Sequence, residues 1–189
     1  MPGSNAAPLP VAFDGGAAGQ WRVDAIMPVI GASLPDAAFV AVRDARADDG
    51  PPPADGWRLQ GFTSNLRYTK RRESEALIAR QAGLGRPAAS CAALIPITKS
   101  PAWWAMAQDE RRAVFEAQSR HIAIGLDYLP GVARRLHHSR DLGEAFDFLT
   151  WFEFAPEETP AFDAMLARLR ATPEWAFVDR EVDIRLTRV

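Results

Sequence analysis

The order of apolar and polar residues divides the chain into short strands and a few helices. Strand patterns, with apolar residues alternating or running together between turn residues, occur at 20–31, 37–44, 57–69, 91–100, 131–140, 144–154 and 175–189. Helical spacing occurs at 71–85, at 100–130 and from Thr159 onward, where the apolar positions are Phe162, Met165, Leu166 and Leu169. The Pro- and Gly-rich segment 45–56 is predicted to be a surface loop.

Two neighbouring strand patterns have predictable faces, because side chains alternate along a strand. In 131–140, one face carries Val132, Arg134 and Leu136, and the other carries Ala133, Arg135 and His137. Since His137 and His138 face opposite ways, they are poorly placed to bind one metal ion together. In 144–154, the shared face is predicted to carry Phe146, Phe148, Phe152 and Phe154.

The segment 100–130 is the longest predicted helix. Ser100 followed by Pro101 is a helix start signal, and Pro130 ends the element. Asp109 and Glu110, which precede Arg111 and Arg112, indicate that the regular helix begins nearer Gln108. Its apolar stripe consists of Val114, Phe115, Gln118, His121, Ile122 and Gly125. This stripe therefore carries a histidine, followed one turn later by a residue without a side chain.

The order of the elements predicts the α+β class. Strands, helices and a hairpin alternate in the way expected of two ferredoxin-like halves, covering roughly 21–98 and 99–189. We expect the halves to form an antiparallel β-barrel flanked by helices. The Pro-, Gly- and Ala-rich segment 1–20 is predicted to be a flexible tail.

Composition removes several classes of function. A net charge of −2 supplies no basic field for nucleic acid. Cys91 is the one cysteine, which excludes an internal disulfide and a cysteine-based zinc site. No apolar run approaches the roughly 20 residues of a membrane helix, and the N-terminus does not have a signal-peptide pattern. We therefore expect a cytoplasmic protein without membrane or nucleic-acid partners.

His121 is the first candidate for chemistry, and the residues alone leave two interpretations open. One is a helix histidine satisfied by a hydrogen bond in the core; the other is a metal ligand or general base. No second ligand follows at the next helical turn, where the residue is Gly125. A single imidazole is nevertheless sufficient for haem, whose porphyrin supplies the other nitrogens, and a flat ligand could lie close to Gly125.

Arg134 and Glu174 also have two interpretations each. Arg134 lies between apolar neighbours on its strand, so it forms either a structural ion pair, with Asp141 or Glu144, or an anion-binding site. Glu174 is either exposed in a loop, or a carboxylate that accepts the N–H of a histidine ligand and makes that ligand more basic.

The combined motifs of the second half resemble the chlorite dismutase family. They are "SRHI…G…YLP…ARRLHHSRDLG…FDFLTWFEF" and "TPEW…DREVDIRL", and the similarity runs from about Trp21 to the C-terminus, most densely from Lys99 to Leu186. The chain looks most like the short, dimeric, cytoplasmic branch of that family. The resemblance implies haem b as cofactor and a homodimer.

The resemblance also implies residue roles. His121 matches the haem-iron ligand, Arg134 the distal arginine and Glu174 the acceptor for the proximal imidazole. Gln81 looks like the partner that holds the distal arginine. Pocket positions at or near the haem edge are matched by Lys99, Trp103, Asn65 and Tyr68.

The implied reaction converts chlorite to chloride and dioxygen. In the family mechanism, Cl–O cleavage leaves a high-valent iron-oxo group and a chlorine oxyanion that recombine, and a fixed cation keeps the anion in place. Other small anions are further expected ligands. One alternative is a coproheme decarboxylase-like or peroxidase-like haem enzyme, and Arg134 argues against the decarboxylase. The other alternative is a non-catalytic haem-binding, sensing or interaction domain.

Overall fold

A computed structural model describes residues 10–45, 50–63 and 83–189 of the 189-residue chain. The strands of these ranges are β1 Pro10–Gly16, β2 Trp21–Ile30, β3 Phe39–Asp44, β4 Trp57–Thr63, β5 Cys91–Lys99, β6 Ala133–His138, β7 Phe148–Phe154 and β8 Val178–Arg188. The α-helices are α1 Pro101–Ala105, α2 Gln108–Arg112, α3 His121–Asp127 and α4 Thr159–Arg170. In these ranges no helix has the length and apolar character to cross a membrane.

The described strands close into an antiparallel barrel in the order β1-β3-β2-β8-β5-β7-β6-β4. Read around the barrel, each half has its fourth strand beside its first, then its third and its second, which is the ferredoxin-like arrangement. The halves join where β2 pairs with β8 and where β4 pairs with β6. The predicted α+β barrel of two ferredoxin-like halves is therefore confirmed.

Two boundaries of the predicted organisation are wrong. Residues 10–16, assigned to a flexible tail, form β1, in which Ala12 and Phe13 are fully buried. The local pattern is short and ends in glycines, and only its pairing with β3 and β4 stabilises it as a strand. The first half also ends earlier than residue 98, because β5 belongs to the sheet of the second half.

The crossover between β1 and β2 takes only four residues, 17–20. The chain passes directly over β3, so that a Cβ atom on Gly19 would lie 2.4 Å from the Val40 carbonyl carbon. Only glycine permits this approach, because that spacing is shorter than any real Cβ contact. The second half instead places its helices between β5 and β6 and between β7 and β8.

Two apolar cores lie on opposite faces of the sheet. The barrel interior is filled by side chains from both halves, including Phe13, Trp21, Leu94, Trp151 and Ile184. The outer face of the second half packs against α3 and α4, with Ile95, Ile97, Phe152, Phe154, Phe162 and Met165. All four predicted core positions of α4 are buried, which confirms that helix.

Phe146 is an exception to the predicted phenylalanine face. It belongs to the barrel interior, whereas Phe152 and Phe154 lie on the helix-covered side. The strand begins only at Phe148, because Asp147 is held in a turn: its carboxylate accepts the Lys99 N–H and the Trp104 indole N–H. The alternation of a strand therefore does not extend back to Phe146.

The predicted long helix 100–130 is also wrong as one element. Its start is confirmed, since Ser100 caps α1 by accepting the Trp103 N–H. The chain then breaks at Met106, and α2 begins at Gln108, the alternative start that the charge pattern indicates. It continues into a π-helix, Ala113–Gln118, before α3 begins at His121. Arg120 has a φ of 52°, a left-handed conformation rare outside glycine. This break leaves Gln118 exposed, although the stripe predicted it to face the core.

Candidate active site

His121, which is half-buried, and Glu174, which is buried, form a hydrogen-bonded pair. Nδ1 of His121 lies 2.7 Å from Oε2 of Glu174, which is 3% exposed and sits in the 3₁₀ turn Pro173–Phe177. Burial alone would raise the pKa of Glu174, but His121 and then Lys99 outweigh it by charge and hydrogen bonding and lower the pKa to about 2. An ionised Glu174 can only accept, so Nδ1 of the imidazole donates and Nε2 is the nitrogen left to bind a metal.

Lys99 completes this arrangement from the end of β5. Its Nζ donates to Oε1 of Glu174 at 2.8 Å and is almost fully buried. The ammonium also lies 4.5 Å from the Trp103 ring centroid and 5.5 Å from that of Trp175. Each carboxylate oxygen of Glu174 therefore has one partner, the histidine on one and the lysine on the other.

Aromatic rings hold the plane of the imidazole. Phe115, on the π-helix, stacks on His121 at a centroid distance of 4.4 Å, and Trp175 lies nearly parallel to it at 6.3 Å. A π-helix at this point is typical of functional sites, where one extra residue redirects a side chain. Neither ring was predicted to act on His121, because an irregular helix removes the spacing from which such contacts are predicted.

Two polar residues before His121 support the pair. Ser119, which is 3% exposed, accepts the backbone N–H of Glu174 at 2.9 Å. Glu116 accepts the backbone N–H of Ile122 at 2.9 Å and so caps the first turn of α3. No signal in the sequence identified Ser119, because its partner lies 55 residues further along the chain.

Arg134 extends from β6 on the helix-covered side of the sheet, opposite Phe152. Its guanidinium lies against α3: a Cβ atom on Gly125 would be 2.4 Å from Nη1. The guanidinium therefore occupies space beside Gly125, where the sequence predicts room for a flat ligand. Burial lowers the pKa of Arg134, and the charge of Glu116 opposes that shift. Burial raises the pKa of Glu144, and the charge of Arg58 on β4 opposes that shift.

The structure thus brings five of the predicted residues to one region: His121, Glu174, Lys99, Trp103 and Arg134. It separates the other histidines, as predicted. His137 is buried in the barrel interior against Phe13, and His138 meets Phe148 on the other face. Gln81, predicted to hold the distal arginine, lies outside the described residues, as do Asn65 and Tyr68, predicted at pocket positions.

The donor set of this region fits a haem group. His121 offers one imidazole nitrogen, oriented by a carboxylate, as haem proteins use for their axial ligand. Trp103 has a buried Nε1–H without a hydrogen-bond partner among the described residues, and that donor is available to a propionate. The same ranges contain no cluster of three or more His, Cys, Asp or Glu side chains suited to a metal ion.

The fold and the site define a class: an α+β-barrel protein with a carboxylate-bound histidine at the start of a helix that covers its second half. The particular family follows from comparison. A family model for chlorite dismutase matches residues 55–189, and the chain belongs to the chlorite dismutase family.

Three relatives illustrate the similarity. The dimeric chlorite dismutase of Nitrobacter winogradskyi is 52% identical, with a TM-score of 0.87 over 95% of this chain and 99% of that one. The chlorite dismutase of Ideonella dechloratans is 30% identical over 118 residues, which cover 61% of this chain but only 39% of that protein. A chlorite dismutase from Candidatus Nitrospira defluvii, at 19% identity and a TM-score of 0.65 over 95% of this chain and 91% of that one, shares the fold.

Proposed function

We propose that the chain is a haem b-dependent chlorite O₂-lyase, which converts chlorite to chloride and dioxygen. The observation that carries this proposal is the His121–Glu174 pair, with the Arg134 guanidinium one helical turn away, beside Gly125. Membership of the chlorite dismutase family supports it. The reaction needs no external oxidant or reductant, because both oxygen atoms of chlorite leave as O₂ and its chlorine leaves as chloride.

His121 would bind the haem iron through Nε2, since Nδ1 already donates to Glu174. The carboxylate makes the imidazole a stronger electron donor, and Lys99 moderates this effect by binding the other oxygen of Glu174. Trp103 would donate its indole N–H to a haem propionate. When bound, haem supplies the redox-active iron at which a Cl–O bond breaks and O₂ forms.

Arg134 would hold the chlorine oxyanion. Its charge is permanent, and its planar set of N–H donors matches a small oxyanion better than the single ammonium of a lysine. Arg134 is half-buried, and partial exclusion of water strengthens the attraction between this cation and a bound anion. The arginine would thereby keep the reacting fragments together until O₂ has formed. The role of Gln81 in holding Arg134, and pocket positions for Asn65 and Tyr68, remain part of the proposal.

The proposed partners are chlorite and other small anions, together with a second copy of the chain. A homodimer is supported by the 52% identical relative, which is dimeric. A cytoplasmic location remains a prediction from the sequence.

The test is oxygen evolution from chlorite by haem-loaded protein with Arg134→Ala and Arg134→Lys. We expect Arg134→Ala to retain haem and to lose oxygen-forming kcat/KM by roughly tenfold or more, with faster inactivation as the oxyanion escapes. Arg134→Lys should fall between the parent and Arg134→Ala. Arg135→Ala is the matched control, because it removes the neighbouring, exposed arginine on the other face of β6.

Unchanged oxygen yield and lifetime in Arg134→Ala would contradict the assigned role. His121→Ala tests the ligand separately, and it should not retain haem at normal occupancy. Haem binding by the parent without oxygen release would instead favour a binding or sensing protein.

A further inference from the structure

Glu181 is a fully buried carboxylate on β8, away from the residues assigned to the haem site. Its Oε2 accepts the indole N–H of Trp175 at 2.7 Å. Its Oε1 accepts two N–H groups of Arg170, from Nε at 2.9 Å and from Nη2 at 2.7 Å. Arg170 is itself fixed by Asp183, whose Oδ2 accepts from Nη2 at 3.0 Å. Both oxygens of Glu181 are therefore committed to fixed partners.

A buried carboxylate is a costly way to fill space. Burying an ion pair carries a desolvation cost that an apolar side chain of similar volume does not. What the carboxylate adds is direction, because each oxygen selects a donor at a defined position. Glu181 applies that direction to the indole of Trp175.

Trp175 transmits this position to the proposed iron ligand. Its ring lies 17° from parallel with the His121 imidazole, at a centroid distance of 6.3 Å, and it borders the Lys99 ammonium. Trp175 also directly follows Glu174 in the same 3₁₀ turn. A displacement of the indole would therefore move both the ring beside His121 and the carboxylate that accepts its N–H.

We propose that Glu181 is a positioning residue which, through Trp175, sets the orientation of His121 and the strength of its hydrogen bond to Glu174. This inference deepens the proposed function and rests on the haem site described there. The hydrogen bonds of the Glu181 carboxylate go to Arg170 and Trp175, so its influence on His121 and Glu174 passes through the indole.

Two substitutions test this path. In Glu181→Gln, the side-chain oxygen remains with Arg170, and the amide nitrogen meets the Trp175 N–H, so that two donors oppose each other. Trp175→Phe retains a ring but removes the donor. Asp183→Asn is the matched control, because it changes a buried carboxylate two residues away that binds Arg170 and Arg185 but has no bond to Trp175.

The first measurement is the midpoint potential of the ferric/ferrous couple, with the iron–histidine stretching frequency of the ferrous form. Both test substitutions should raise the potential and lower the frequency, because a weaker bond to Glu174 makes the imidazole a poorer donor. The potential and the frequency of the double variant, Glu181→Gln with Trp175→Phe, should shift no further than those of Trp175→Phe alone, since the two residues act in series. Additive shifts, or an equal shift in Asp183→Asn, would overturn the proposal.

The second measurement is the NMR resonance of the His121 Nδ1–H in the full-length chain without haem. Glu181→Gln and Trp175→Phe should move it upfield relative to the parent and Asp183→Asn. This resonance tests the role of Glu181 even if the chain binds no haem. Failure to bind haem would contradict the proposed function but not the role of Glu181. If Glu181→Gln does not fold, Trp175→Phe decides, because it retains the Glu181–Arg170 pair: an unmoved resonance refutes the path.

Discussion

His137 should make the stability of the barrel depend on pH. The imidazole is 2% exposed, packs edge-on against Phe13 at a centroid distance of 5.4 Å, and lies 3.5 Å from the Thr63 hydroxyl. Burial, followed by the charges of Arg135 and His138, lowers the pKa of His137 from 6.5 to about 4. It lies on β6 where that strand closes the barrel with β4, and two residue pairs join these strands within the described residues.

The sign and size follow from linkage. In the unfolded chain His137 takes up a proton near pH 6.5, but in the folded chain it does so only near pH 4, so protons favour unfolding between these values. The stability that the folded chain has with a neutral His137 is therefore fully present above pH 6.5, and it is lost as the pH falls towards 4. A pKa difference of this size amounts to about 3 kcal/mol in total, of which about 2 kcal/mol is lost between about pH 7 and about pH 5.

Denaturant unfolding at a series of pH values between these limits measures this loss. His137→Gln retains a neutral polar side chain, and its free energy of unfolding should fall by about 2 kcal/mol less than that of the parent over the same interval. His138→Gln is the matched control, because it removes the adjacent imidazole on the other face of β6. Parallel pH profiles for the parent and His137→Gln would refute the reasoning.

Two further predictions concern the supports of the site. Gly125→Ala should displace the Arg134 guanidinium, whose Nη1 would be 2.4 Å from the new Cβ, and chlorite affinity should fall; the thermal midpoint should stay level or rise, since alanine favours a helix by up to about 1 kcal/mol. Unchanged affinity in the oxygen assay would contradict this. Ser119→Ala should remove the acceptor for the Glu174 N–H and lower the free energy of unfolding by about 1–3 kcal/mol, measured with denaturant, whereas the exposed Gln118→Ala should have little effect.

The helices and strands that the sequence predicted correctly are those whose pattern lies within a few neighbouring residues. The α4 helix was predictable because four apolar residues at helical spacing bury one face, and β5 because a continuous apolar run lies between two covered faces. β1 was not, since its seven residues carry too little local signal without their neighbouring strands. The helix 100–130 was over-predicted because helical spacing does not show where a left-handed residue or a π-turn interrupts it.

The site divides in the same way. Motifs in the sequence were sufficient to predict His121, Arg134 and Glu174 as candidates, with the resemblance deciding between structural and functional interpretations. Folding alone decided that Lys99 binds the second oxygen of Glu174 and that Arg134 lies against Gly125. It also decided that Ser119 binds the Glu174 backbone and that Glu181 binds the Trp175 indole. The physical reason is range: periodicity and capping act over a few residues, whereas the contacts that orient His121 join β5, α3, β8 and a 3₁₀ turn only once the barrel has closed.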